Sequence, residues 1–177
     1  DNMYFSYNNY IDKSEGSKRY KQFTPKVGAT YTFLETKGMY VNYSQGFAPP
    51  ALTSIFRKSS LTDEFYYNLK AADFNNYEIG GWASFLQNKL TLDLSFYLMK
   101  GQNELLSIRQ EDNTYDYQSA GKTLHRGIEL GLNAKPIIEL ALRFGGTVAL
   151  HRFEDFEISN KPGDPLQNLD GYEMPSA

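Results

Sequence analysis

The chain has 177 residues, with 18 Lys and Arg against 21 Asp and Glu and a formal net charge of −3, so no basic field points to a nucleic-acid partner. It holds no cysteine, which excludes a disulfide framework and a thiolate zinc site. No apolar run approaches the roughly 20 residues of a membrane-spanning helix, and Asp1-Asn2-Met3-Tyr4-Phe5 lacks the basic and apolar regions of a signal peptide.

Taken in chain order, the predicted elements are strands. Tyr4 to Tyr10 reads as a strand whose register the pattern does not fix. Val27, Ala29, Tyr31 and Phe33 then alternate with other residues, as do Met39, Val41 and Tyr43. Four stronger strands follow. Tyr77, Ile79, Gly81, Ala83 and Phe85 share one face, against Glu78, Gly80, Trp82 and Ser84. Leu90, Leu92, Leu94, Phe96 and Leu98 oppose Thr91, Asp93, Ser95 and Tyr97. Ile128, Leu130, Leu132 and Ala134 oppose Glu129, Gly131 and Asn133. Leu140, Leu142, Phe144, Gly146, Val148 and Leu150 oppose Ala141, Arg143, Gly145, Thr147 and Ala149. The first face of these four strands carries no charge; the second carries Glu78, Asp93, Glu129 and Arg143.

Connections alternate in length. Glu35-Thr36-Lys37, Gln87-Asn88-Lys89 and the Lys135-Pro136 region predict short turns, whereas 47–73, 103–122 and 153–175 are long and polar. An antiparallel meander with one short-looped and one long-looped end has this rhythm, as outer-membrane barrels do. An apolar strand face more often packs on a soluble core. Strands of about 9–13 residues, longer than the usual 5–6, a polar face mixing small and charged residues, and aromatics at band ends favour a membrane barrel. The mean hydropathy of −0.54 is compatible with either, because alternation keeps the average low. About seven strands of this length do not close a wide barrel, so a membrane reading expects more chain than is present.

Five segments, in order, resemble the barrel of TonB-dependent outer-membrane receptors. They are Phe23-Thr24-Pro25-Lys26-Val27-Gly28-Ala29-Thr30-Tyr31, Tyr40-Val41-Asn42-Tyr43-Ser44-Gln45-Gly46-Phe47-Ala48-Pro49-Pro50, Asn76-Tyr77-Glu78-Ile79-Gly80, Leu92-Asp93-Leu94-Ser95-Phe96-Tyr97, and Ala120-Gly121 followed by Gly127-Ile128-Glu129-Leu130. Ser119 stands where the family often has Asn. The resemblance implies an all-β, antiparallel up-and-down transmembrane barrel fragment, with residues 1–177 a partial barrel and the plug domain and last strands outside this chain. It implies a protein of the Gram-negative outer membrane that is not an enzyme, carries no cofactor and binds no nucleic acid. Its implied partners are the lipid bilayer, TonB acting through the absent plug, and a ferric siderophore or similar small ligand. Glu78, Asp93, Glu129 and Arg143 would face the plug or lumen. Phe47, Phe56, Arg57, Tyr66 and Tyr67, with Lys58 and Phe65 beside them, would meet ligand in the outer loops, although loop packing is the plainer role. A soluble β-domain binding carbohydrate or protein, and a passive porin, are the alternatives.

Several other motifs invite a chemical reading. Gly121-Lys122-Thr123 resembles the end of a phosphate loop, but Asp116 stands where the first Gly is required. His125 and His151 are the only histidines and lie at no metal-ligand spacing, so both read as strand-end or lumen residues. Glu111, Asp112, Asn113 and Asp116 lack calcium-loop spacing and read as solvated charge.

Overall fold

The structure, a computed structural model, describes residues 2–8, 13–55, 69–109, 115–119, 121–158 and 165–174. Its elements in chain order are β1 (Asn2–Asn8), β2 (Lys13–Arg19), β3 (Lys26–Leu34), β4 (Lys37–Ala48), a single helical turn α1 (Leu52–Ile55), β5 (Ala72–Phe85), β6 (Leu90–Gln102), β7 (Leu105–Arg109), β8 (Tyr115–Ser119), β9 (Lys122–Ile137), β10 (Leu140–Asp155), β11 (Glu157–Ile158) and β12 (Gln167–Asn168). No described helix is long and apolar enough to cross a membrane, a fact that does not bear on strands.

Six strands form one antiparallel sheet in the spatial order β10-β9-β6-β5-β4-β3. Chain neighbours are sheet neighbours except where the β7–β8 hairpin interrupts, so the sheet is an up-and-down meander. β1 pairs with β2 in a separate hairpin, from Asn2↔Arg19 to Asn8↔Lys13. The opening strand therefore exists, but its partner is its own neighbour and not the wall.

The register joins the predicted apolar faces. Val41 pairs with Ile79, Ile79 with Phe96, Phe96 with Ile128, and Ile128 with Val148. One row below, Met39, Gly81, Leu94, Leu130 and Gly146 line up the same way. Paired residues share a face, so the period-2 pattern of each strand becomes one continuous apolar surface. That surface is bare: Phe144 is 64% and Val148 75% exposed. Among the described residues no second layer covers it. A sheet that packed on a soluble core would bury these side chains.

The buried clusters lie elsewhere, both at the long-loop end. Tyr20, Ile55 and Leu69 form one, with Phe47 and Leu105 packed against it. Phe153 and Phe156 stack at 4.8 Å in the other, beside Leu106, Ile108 and Leu169. The stretches read as long polar loops thus contain short strands and small apolar cores. Burial pushes the Tyr20 hydroxyl above its ordinary range, and the hydroxyl donates to the Leu69 carbonyl at 2.9 Å.

The short turns sit at Glu35–Thr36, Leu86–Lys89 and Ile138–Glu139. The last differs from the expected Lys135–Pro136. Pro136 lies inside β9, opposite an irregularity between Leu140 and Leu142, and beyond Ala134, where pairing with β6 ends. A proline lacks the ladder donor, and a bulge beyond the neighbour's last pair is where a strand accepts one.

Candidate functional site

The polar face of the sheet is the side on which chemistry gathers. Small residues make room for it. A Cβ at Gly80 would lie 2.5 Å from Tyr40 Cζ, and one at Gly127 would lie 2.7 Å from Tyr97 Oη. Both tyrosine rings therefore lie over the backbone of the adjacent strand, the arrangement in which an aromatic covers a strand glycine. Trp82 covers Gly38 likewise.

Tyr40, so placed, donates to Glu78 Oε1 at 2.6 Å. Glu78 pairs with Tyr97, and Glu129 pairs with Ser95 on one side and Thr147 on the other. Asp93 pairs with Trp82 and Gly131, and Arg143 pairs with Asn133. The four charged residues singled out from the pattern thus occupy one face across β5, β6, β9 and β10. Asp93 and Glu129 line the same recess, of about 580 Å³, with Tyr40, Ser95 and Thr147. Glu78 and Glu129 line a neighbouring recess of about 420 Å³ with Lys26. Arg143 lines neither; it lies toward the short-turn end.

A second polar group lies on the same face at the long-loop end; the sequence reading put its histidines at a strand end or in the lumen but did not bring them together. His125 and His151 are direct register partners, with Nδ1 atoms 2.7 Å apart. One Nδ1 must donate and the other accept. His125 Nε2 stands 3.2 Å from Glu104 Oε1 and 3.1 Å from Thr123 Oγ1. If Glu104 is ionised and accepts from His125 Nε2–H, then His125 Nδ1 accepts from His151. Glu104 Oε2 is buried without a hydrogen-bond partner among the described residues. A recess of about 430 Å³ adjoins these groups, lined by Pro49, Pro50, Lys70, Phe74, Glu104 and His125 among others.

The pairing of the histidines follows from the turn. With the β9–β10 turn centred near residue 138, residue 125 falls opposite 151; a turn at Lys135–Pro136 sends them to different partners. Among the described residues no group of three or more His, Asp or Glu has metal-holding geometry.

Of the proposed ligand-contact residues, Phe47 is half-buried near the end of β4 and packs against the Tyr20 cluster. Phe56, Arg57, Lys58, Phe65, Tyr66 and Tyr67 lie outside the described residues, as do Glu111, Asp112 and Asn113. Gly121-Lys122-Thr123 opens a strand and not a helix, so it has no phosphate-loop geometry.

Comparison with known proteins agrees with this architecture. A family model described as "TonB dependent receptor-like, beta-barrel" matches residues 2–176. Among solved structures, the ferripyoverdine receptor of the outer membrane of Pseudomonas aeruginosa is 23% identical, with a TM-score of 0.55, over 84% of this chain and 19% of the receptor. The ferric-catecholate import receptor Fiu of E. coli K12 is 20% identical, with a TM-score of 0.59, over 85% of this chain and 21% of that one. The siderophore receptor PiuA of Acinetobacter baumannii is 20% identical, with a TM-score of 0.56, over 89% and 21%. At these identities the likeness is one of fold, and the chain spans about a fifth of the receptors' length. No curated protein matches the sequence. A match over nearly all of its residues, on a two-faced antiparallel wall, places this chain in the TonB-dependent receptor β-barrel family.

Proposed function

We propose that this chain is a wall segment of an outer-membrane receptor that imports a scarce ligand, a ferric siderophore, using energy delivered by TonB to a plug outside the chain. The observation that carries the reading is the two-sided sheet: a bare outer face, uncharged across its central band, and a polar inner face bearing Glu78, Asp93, Glu129 and Arg143. On this reading those four residues contact the plug. Phe47, at the outer end of β4, and Phe56, Arg57, Tyr66 and Tyr67, beyond it in the chain, receive ligand from outside. The His125–His151–Glu104 group lies between the two, at the upper rim of the lumen. The similar structures include receptors for ferripyoverdine, ferric catecholates and other siderophores, which supports the cargo class.

Uptake of radio-iron carried by siderophores tests this. Iron-starved cells lacking the receptor gene should lose import of at least one ferric siderophore. Cells lacking TonB should lose the same import. Uptake that survives removal of TonB but not of the gene would instead point to a passive pore.

A further inference from the structure

Glu104 stands where the two buried clusters of the long-loop end meet. It follows β6, and its next two residues are divided between the clusters. Leu105 packs on Tyr20, Ile55 and Leu69; Leu106 packs on Phe153 and Phe156. Glu104 is tied to the wall by its 3.2 Å contact with His125 Nε2, and His125 is tied in turn to His151. Beyond β10 the contacts continue. Met174 N donates to the His151 carbonyl at 2.9 Å, and the Met174 side chain packs on the Phe153 and Phe156 cluster. The three polar side chains thus run in one line from the root of β7, across β9, to β10.

The histidine step is a seat for a proton. The ring centroids are 5.0 Å apart and the Nδ1 atoms 2.7 Å apart. About 1.2 Å separates a ring's centre from its nitrogen, so the rings meet head-on, as a hydrogen bond prefers. A metal ion between them would need about 2.0 Å to each nitrogen, which this gap does not offer.

Proton counting sets the behaviour of the group. With Glu104 ionised and one proton between the Nδ1 atoms, the group carries one negative charge. A proton added at His151 Nε2 neutralises the group, and His125 Nδ1 keeps its lone pair, so the bond stays. A second added proton occupies that lone pair. Neither Nδ1 then accepts, two cations stand head-on, and Glu104 offsets only one of them.

The surrounding charges do not replace the missing acceptor. The partner of His125 on β6 is Met99, and the neighbour of His151 beyond β10 is Met174. Lys70 is the other charged residue on the recess beside Glu104. Tyr97, the partner of Gly127, and Glu129 are the next titratable groups down this face. Lys100, Arg126, Arg152 and Glu173 alternate to the opposite face, as does Asp73, the partner of Phe47 and Gln102. Lys122 and Asp155 satisfy each other at 3.3 Å.

We propose that Glu104, His125 and His151 form a proton-controlled latch. Closed, it holds the β6–β7 connection against the wall; doubly protonated, it opens, and β7 loosens together with the two clusters it joins. The order it confers is present at neutral and higher pH and is lost on acidification through the range in which histidines take up protons, about pH 8 to 5. The latch needs only these contacts and is independent of the cargo the receptor carries.

The test uses the full-length receptor in mild detergent, with a nitroxide on Ser107→Cys, an exposed position of β7. Label mobility is read by electron paramagnetic resonance at pH 8 and pH 5. Mobility should rise about twofold or more on acidification and return when the pH is restored. His151→Asn supplies an amide that either donates to or accepts from His125 Nδ1, so its label should stay ordered at both pH values. Glu104→Ala should leave the label mobile at both. No change in the Ser107→Cys receptor overturns the latch. So does the same acid response in His151→Asn, or a rise that does not reverse, which is acid unfolding. If Glu104→Ala fails to fold, as heat-modifiable gel migration would show, the other two proteins still decide.

Discussion

Gly80 has no side chain where Tyr40 lies. The ring fills the space a Cβ would take, and its hydroxyl reaches Glu78. The two residues therefore form one fitted joint across β4 and β5. Gly80→Val should destabilise the barrel by about 1–3 kcal/mol through overpacking. Tyr40→Ala should relieve part of that cost when combined with it, since residues in contact are not additive. Urea titration of the refolded receptor, read by tryptophan fluorescence and gel mobility, would detect both. Additive costs would mean that the ring does not occupy the glycine's space. Tyr20 is a second case in which one atom carries a measurable effect. Its folded-state pKa lies above the ordinary value of 10.0, so its contribution is present in full below about pH 10 and is lost as pH rises through the raised value. Tyr20→Phe should cost about 0.5–1.5 kcal/mol at pH 8 and converge with wild type at strongly alkaline pH. A constant difference at every pH would remove the hydroxyl from the account.

At the scale of the element, most of the wall was legible and its ends were not. Period-2 alternation located β3, β4, β5, β6, β9 and β10, because the central stretch of each strand has one face without charge. The turn between β9 and β10 was misplaced because Pro136 normally marks a break. Here it rides a bulge at the end of the ladder. That shift hid the His125–His151 pair. The β7–β8 and β11–β12 hairpins were read as loops because they are short and stabilised by contacts distant in sequence, such as Leu106 and Ile108 against Phe153 and Phe156. The natural absence of cysteine gives a clean test of register. His125→Cys with His151→Cys should cross-link readily on oxidation, whereas His125→Cys with Leu150→Cys should not, because those residues lie on opposite faces. The reverse result would shift the hairpin by one residue and exchange its faces. Of the candidate contact residues, the lumen row was legible because charge on one face is a pattern. A ligand site built from loops has no periodicity to reveal it.

For the whole molecule the question is what surrounds the wall. From Leu140 to Leu150 the apolar face runs about 33 Å along the strand, or about 25 Å upright at a tilt near 40°, the height of an outer-membrane apolar band. Leu94 lies near the middle of that height, in the row of Gly81, Leu130 and Gly146. Leu94→Arg should cost about 2–4 kcal/mol in a bilayer. Leu94→Ala should cost well under the roughly 2–5 kcal/mol of a packed core, because lipid fills the space. Folding of both variants into lipid vesicles gives the two numbers. A large penalty for alanine would mean that protein, and not lipid, covers this face. Expressed alone, the chain is expected to aggregate, since β3 and the greater part of β10, up to His151, offer unpaired edges among the described residues.

The two buried clusters lie at the long-loop end, away from the wall. Each region thus answers to its own medium. The wall gains its order where water is scarce, through backbone pairing. The loop clusters gain theirs only where water is plentiful, because the hydrophobic effect has no hold on them in lipid. On the proposed reading of the wall as membrane-embedded, assembly is therefore expected to have a sequence in time: the polar connections cross first as open chain, and the Tyr20–Ile55–Leu69 and Phe153–Phe156 clusters each form afterwards on the far side.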